Sequence, residues 1–418
     1  MRIETKCLHE GYHAENGQAL GLPIYQSTTF RYSSPDEIAK LFDLGPGHMY
    51  SRISNPTVEC VENKIAALEG GVAALCVSSG QSASFLAITN ILSAGDHFIA
   101  SSKLYGGTVN LFAVTLKRFG IECTFVEPDL EIDELQKVIK PNTKAVFAEV
   151  IANPVISVLD IEKFAKFAHS NGVPLIIDNT FPTPILCRPI EFGADIVIHS
   201  TTKYMEGHAI QIGGVVVDSG KFDWKDYPLL TTPDESYHGL IYAEYFGKAA
   251  YVAKMRVQLV RDIGNCQSAM GAFFLDLGLQ TLAVRIEKHS KNADIVAKAL
   301  EKNDKIEFVN YPTLASSPYK ALAEKYLPNG CSGVLSFSIK GSRERAIKFM
   351  EGLQLANNVV HVADVRTCVL HPASSTHRQL TDEQLVGCGI TPGMIRLSVG
   401  IENVDDILED ILVSLNKI

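Results

Sequence analysis

The sequence predicts an α/β fold with a mostly parallel sheet in a large domain, followed by a smaller α+β C-terminal domain. Three observations carry that prediction. Between Ala73 and Val217 short apolar runs alternate with helical stretches, as in βαβ crossovers whose parallel sheet is covered on both faces. Further on, Leu335, Phe337 and Ile339 alternate with Ser336 and Ser338, the period of a half-buried strand, and Val404, Ile407, Leu408, Ile411, Leu412 and Leu415 mark a closing helix. The chain has 418 residues, 46% hydrophobic and 20% charged, which is enough for two to three domains and a full core and lies outside the disordered regime.

The first fifty or so residues lack a sustained period and carry the turn formers Gly21-Leu22-Pro23, Ser34-Pro35 and Gly45-Pro46-Gly47, so they read as an extended arm. Asn55-Pro56 then offers an N-cap with proline at the first helical position. Val58, Val61, Ile65 and Leu68 repeat at helical spacing until Gly70-Gly71 closes the helix. Strands are predicted at 73–77, 97–100, 121–126, 144–150, 173–177, 196–199 and 210–217, with helices at 81–92, 108–119 and 161–170. The aromatic, turn-rich segment 222–247 reads as a bridge, followed by a long helical region over 248–300. The expected division is an arm over 1–55, a large domain over 56–250, and a linking helix with C-terminal domain over 251–418.

With 47 Asp+Glu against 38 Lys+Arg, the net charge is −9 and is dispersed, which argues against nucleic-acid binding through a basic face. No stretch approaches the roughly 20 apolar residues of a membrane span. The start, Met-Arg-Ile-Glu-Thr-Lys, has no apolar core with a cleavage site, and a cytoplasmic location is expected. Nine cysteines form no C-x-x-C pair, so reduced structural thiols are expected rather than zinc ribbons, redox dithiols or disulfides. His361, His371 and His377 have no ligand spacing that supports a metal.

Ligands of open α/β sheets bind beyond the carboxyl ends of the strands, and three such ends fit one ligand. Ser78-Ser79-Gly80-Gln81-Ser82-Ala83 leads into a helix and offers backbone N–H groups to an anion. Asp178 closes one apolar run, and Ser200-Thr201-Thr202-Lys203 follows another. Each piece alone is ordinary: a turn, a cap, a solvated lysine. Together they supply what pyridoxal phosphate demands: a lysine for the Schiff base, an acid to keep the pyridine nitrogen protonated, and a phosphate cup.

Over nearly its whole length the chain resembles the Cys/Met-metabolism family of pyridoxal-phosphate enzymes, which implies the aspartate-aminotransferase-like (type I) fold. Tyr50-Ser51-Arg52, followed by Asn55-Pro56-Thr57, resembles the segment in which Tyr50 and Arg52 would reach a neighbouring subunit's cofactor phosphate, implying a homo-oligomer with shared sites, a homotetramer by resemblance. Tyr105, in Leu104-Tyr105-Gly106-Gly107, matches the ring-stacking tyrosine, and Asp178-Asn179-Thr180 the pyridine-nitrogen acid. Ser200, Thr202 and Lys203 match the family's His-Ser-x-Thr-Lys segment; with Gly80 and Gln81 they complete the implied cofactor set. Asn153 corresponds to the asparagine near the cofactor's phenolic oxygen, and Arg396 to the arginine that clamps the substrate carboxylate.

Within the family, Gly107 stands where methionine γ-lyases carry a cysteine. The segment from Ser219 to Gly239 resembles an insert of O-acetylhomoserine sulfhydrylases that cystathionine γ-synthases usually lack. The resemblance therefore implies replacement of acetate at Cγ of O-acetylhomoserine by a sulfur nucleophile, giving homocysteine for methionine biosynthesis; the sulfur donor stays open. The alternative is γ-elimination of the methionine γ-lyase type, or a cystathionine γ-synthase or lyase reaction. A non-catalytic binding protein is disfavoured by the retained lysine, aspartate, tyrosine and arginine. A nicotinamide dehydrogenase is disfavoured because no G-x-G-x-x-G follows a predicted strand. Two departures stand out. His361 lies near the expected substrate carboxylate, where relatives often have Ser or Asn, and Met205-Glu206-Gly207-His208-Ala209-Ile210-Gln211 replaces a Gly-rich run.

Overall fold

The computed structural model describes residues 1–376, 378, 385 and 389–418; His377 and Cys388 lie outside the described residues. Seven strands form the large sheet: β1 (Ala73–Val77), β2 (His97–Ser101), β3 (Glu122–Val126), β4 (Thr143–Glu149), β5 (Leu175–Asp178), β6 (Ile196–His199) and β7 (Gly214–Asp218), in the order β1-β7-β6-β5-β4-β2-β3. Only β7 is antiparallel to its neighbours. Because β1 and β6 both oppose β7, they run the same way, and the turns after them reach the same edge. Residues alternate between the two faces. Ile177, Val197 and Val215 enter one apolar core, while Ile176, Ile196, Ile198 and Val216 enter another on the opposite side. A five-stranded sheet near the C-terminus is built from β8 (Ile306–Asn310), β9 (Val334–Ile339), β10 (Asn357–Asn358), β11 (Cys368–Leu370) and β12 (Met394–Ser398).

The arm differs from its expectation. It holds two short helices, α1 (Ile3–His9) and α2 (Pro35–Phe42), within otherwise irregular chain. Ser34-Pro35 is not a turn there. Ser34 caps α2 in a reciprocal capping box with Glu37, and Pro35 occupies the first helical position. Helix α3 (Pro56–Glu69) begins at the Asn55 cap, whose side chain accepts from the Thr57 N–H, and ends at Gly70 in the left-handed region.

Three other expectations change. The last strand of the large sheet starts at Gly214 rather than 210, and Ile210 and Ile212 are exposed. Strand β9 is buried on both faces, not half-buried: the Ser336 hydroxyl accepts from Asn310 and the Ser338 hydroxyl donates to Glu307. The 248–300 region is not one helix. It breaks at Gly264 and bends by 61° between Ala269–Gln280 and Leu282–Glu301. Segment 222–247 packs Trp224, Tyr227, Leu230 and Tyr242 onto the large sheet with Ile196 and Val216. Trp224 stacks on Tyr251 at 4.9 Å between centroids. The eight described cysteines are free, and among the described residues no single helix is long and apolar enough to cross a membrane.

Candidate active site

A cavity of about 670 Å³ opens between the carboxyl edge of the large sheet and the C-terminal sheet. Of the sequence-predicted residues, Gly80, Gln81, Tyr105, Asn153, Asp178, Ser200, Thr202, Lys203, His361 and Arg396 all line it. Tyr50 and Arg52 do not. They stand on the arm, Tyr50 43% exposed, with the Arg52 guanidinium 5.3 Å from the Tyr50 ring centroid.

The floor is built at the strand ends. Helix α4 (Gly80–Thr89) starts after β1, where the Ser79 side chain caps the Ser82 N–H. That leaves the first-turn N–H groups of Gly80 and Gln81 without intrahelical acceptors. The turn admits no side chain: a Cβ on Gly80 would sit 2.6 Å from the Ser200 Cβ, and one on Gly214 2.1 Å from the Ser79 carbonyl oxygen. The Asp178 carboxylate, at the end of β5, accepts from the Thr180 N–H at 2.9 Å and the Thr180 hydroxyl at 2.5 Å. Thr180 Oγ1 in turn accepts from the Ser200 N–H at 2.9 Å, tying the acid to the segment that carries the lysine. Thr202 and Gly213 exchange hydrogen bonds across the following loop.

A second acid belongs to this floor and was not singled out from the sequence. Glu149 ends β4 directly beside Asp178 in register, lines the cavity, and accepts the Tyr105 N–H at 2.6 Å. Its signal was an acid interrupting the apolar stretch 145–152. Burial raises both carboxyl groups, and Glu149, which also feels the Asp178 charge, is raised well above the usual carboxylate range.

Two cations, Lys203 and Arg396, line the same cavity. Burial, then the Arg396 charge, pushes the half-buried Lys203 amine down to about 8. Its Nζ lies 3.4 Å from His361 Nδ1. Arg396, on β12, donates to the Val360 carbonyl at 2.8 Å and reaches Asn153 Oδ1 at 3.4 Å. Neither partner is charged, and burial lowers the guanidinium to about 10. A desolvated cation without a carboxylate is costly, and an anionic ligand would relieve it. His371, by contrast, is tied to its own loop through Ser374 Oγ and the Pro392 carbonyl oxygen.

The Met205–Gln211 departure shapes the cavity's rim. Ala209 takes a φ of +59°, where a Cβ is strained. Buried Glu206 accepts from the His208 and Ile210 N–H groups, and Ile210, Gln211 and Ile212 line the opening.

These residues fit pyridoxal phosphate by their donor set. The cavity offers an amine with a lowered proton affinity, an acid at a strand end, a side-chain-free helix start with unused N–H donors, and a guanidinium with no carboxylate partner among the described residues.

Comparison with known proteins agrees. The profile of the Cys/Met metabolism PLP-dependent enzymes matches residues 4–416. The homocysteine synthase of Schizosaccharomyces pombe is 46% identical over 415 residues, 98% of this chain and 96% of that protein. The O-acetyl-L-homoserine sulfhydrylase of Corynebacterium glutamicum is 46% identical over 420 residues, covering 98% and 95%. A Campylobacter jejuni structure assigned as an O-acetylhomoserine (thiol)-lyase, carrying N'-pyridoxyl-lysine-5'-monophosphate, superposes with a TM-score of 0.96 at 39% identity over all of both chains. The metB protein of Corynebacterium glutamicum gives 0.86 at 31% identity, over 100% of this chain and 98% of that one.

Proposed function

Because the chain belongs to the Cys/Met-metabolism family of pyridoxal-phosphate-dependent enzymes and has their type I fold, we propose that it acts on O-acetylhomoserine. In this reading a sulfur nucleophile replaces the acetoxy group at Cγ, releasing acetate and giving homocysteine. The observation that carries it is the single cavity in which Lys203, Asp178, Tyr105 and Arg396 converge, in a chain whose relatives include sulfhydrylases of this substrate over nearly their full length.

Pyridoxal phosphate, once bound, supplies an electron sink conjugated with the substrate α-carbon. Lys203 would hold it and would move the Cα proton of the bound amino acid. A proton affinity near pH 8 leaves part of this amine neutral at physiological pH, as a general base needs. The same amine, once relieved of that proton, would take one from Cβ, and acetate would then depart from Cγ with the Cγ–O bonding pair. Asp178 holds a proton on the ring nitrogen, and Tyr105 stacks on the ring and assists the leaving group. Gly80, Gln81, Ser200 and Thr202 hold the phosphate together with Tyr50 and Arg52 of a neighbouring subunit, and Asn153 stands at the phenolic oxygen. Arg396 grips the substrate carboxylate, with His361 beside it. Residues 56–250 thus serve as the cofactor-binding domain, 251–418 close the substrate side, and 1–55 serve the neighbour.

The reading includes a cytoplasmic homotetramer. Support comes from the helix Ala269–Gln280, which is apolar nearly all round yet leaves Met270 and Leu277 exposed; a helix of that composition is normally covered. Mixing Lys203→Ala with Arg52→Ala subunits should restore activity, since some shared sites then carry neither lesion. Confirmed subunit exchange without recovery would remove the shared-site proposal. For the reaction, O-acetylhomoserine with sulfide should yield homocysteine and acetate in equal amounts. Release of a 2-oxoacid and ammonia at a rate indifferent to sulfide would instead establish γ-elimination.

A further inference from the structure

His361 belongs to the cavity lining, and the contacts of its two ring nitrogens go beyond a role beside the substrate. Its Nδ1 lies 3.4 Å from Lys203 Nζ. Its Nε2 is buried and has no hydrogen-bond partner among the described residues. The charged groups around the ring are Lys203, Arg396, Arg366 and Asp364, so three cations face it against one carboxylate. Asp364 is itself occupied by bidentate bonds from Arg366. Burial and the Lys203 charge push the imidazole down to about 4, so the ring is neutral at physiological pH. A lysine ammonium can only donate. Against the charged amine, the tautomer that pairs is the one with Nδ1 bare and the ring's one proton on Nε2.

We propose that His361 is a positioning residue for Lys203: Nδ1 accepts a hydrogen bond from the amine and fixes its direction in the cavity, while the Nε2–H is held for an acceptor that arrives with the ligand. A buried N–H without an acceptor is costly, and an incoming oxygen would relieve it. The inference rests on Lys203 being the cofactor lysine, as in the proposed function, but not on the identity of the amino-acid substrate.

The test uses pyridoxal-phosphate capture by the cofactor-free protein, followed by its absorbance as a function of pH, with borohydride reduction and peptide mapping to locate the attachment. Attachment away from Lys203 would defeat the site assignment itself. With attachment at Lys203, loss of the Nδ1 acceptor destabilises the protonated amine. His361→Leu should therefore move the pH midpoint of capture down by about half a unit or more. His361→Asn, whose side-chain oxygen can accept the same bond, should return most of the shift. In turnover, His361→Leu should lower kcat about tenfold through lost orientation, a larger effect than any rise in KM from the lost Nε2–H donor. Should the leucine variant fail to fold, His361→Ala with and without added imidazole replaces it, and imidazole should restore the midpoint. Unchanged midpoints in these variants, or a raised KM with kcat intact, would overturn the proposal and leave His361 a substrate contact only.

Discussion

Two regions each bury a lysine whose proton affinity falls to about 8, with burial as the first cause, yet they differ in what surrounds the amine. Lys254 is 1% exposed, in the core between the large sheet and the helix Ala250–Lys254, and its Nζ donates to the Asn90 carbonyl at 2.9 Å and to Asn90 Oδ1 at 3.3 Å. Lys203 faces a cavity of about 670 Å³, where His361 is its side-chain partner among the described residues. A depressed lysine is therefore not in itself a mark of chemistry. What separates the two regions is space for a reactant, lined also by Asp178 and by an arginine with no carboxylate partner among the described residues.

Substitutions can break or sharpen this contrast. The largest effect is expected at Lys203: Lys203→Ala should lower kcat by about 10³-fold or more and abolish the borohydride-fixed adduct, whereas Lys254→Met should retain both. A comparable loss in Lys254→Met, with intact circular dichroism, would erase the distinction. Next is Arg396→Ala, which removes one partner of a desolvated ion pair. The cost of about 2–5 kcal/mol corresponds to a fall of roughly thirtyfold to several thousandfold in kcat/KM for O-acetylhomoserine. Arg396→Lys should not rescue it, because an ammonium cannot form two parallel bonds to a carboxylate.

A smaller effect concerns stability. For Lys254 the folded value of about 8 lies below the ordinary 10.5, so between those values the unfolded chain binds more protons than the folded one. Stability contributed by this group rises with pH across that window and, below it, is lower by a constant amount on the order of 3 kcal/mol. Lys203 adds a slope of the same sign in the cofactor-free protein. The buried cysteines and tyrosines, whose raised values give the opposite slope, are common to all variants, so the test is the difference: between pH 7 and 10 the urea midpoint of cofactor-free wild type should gain on that of Lys254→Met, and gain more on that of the double variant with Lys203→Met. Parallel curves would show that Lys254 titrates normally.

The smallest effect is expected at Glu149. If that carboxyl already carries a proton, Glu149→Gln replaces a neutral acceptor with another, and activity and melting temperature should stay within about twofold and a few degrees. A severe loss would assign a charge to Glu149 and reverse the order of the acid pair.

How much could be read in advance depended on whether a feature was local. The helix Ile161–Ser170 and the strands Ala73–Val77 and Ile196–His199 appear with the boundaries their periodicity indicates, because the pattern and the burial share one period. Strand β9 shows the limit. Alternating serines suggested a solvent face, but Asn310 and Glu307 bond their hydroxyls, and a satisfied polar group can be buried at little cost. The capping box at Ser34 and Glu37 was legible and was passed over as a turn, since Ser-Pro serves both purposes.

The sequence by itself determined the order of strands and helices, the small-residue turn at Gly80, the acid at Asp178, and the lysine after β6, each a signal contained within a few consecutive residues. Only the tertiary structure decided which of them meet. It set Glu149 against Asp178 by strand register and joined Thr180 to Ser200 across two strand ends. It brought Arg396 to Asn153 across 243 residues and His361 to Lys203 across 158. Proton affinities belong to this second group, because desolvation and neighbouring charge depend on what folds around a residue and not on what precedes it in the chain.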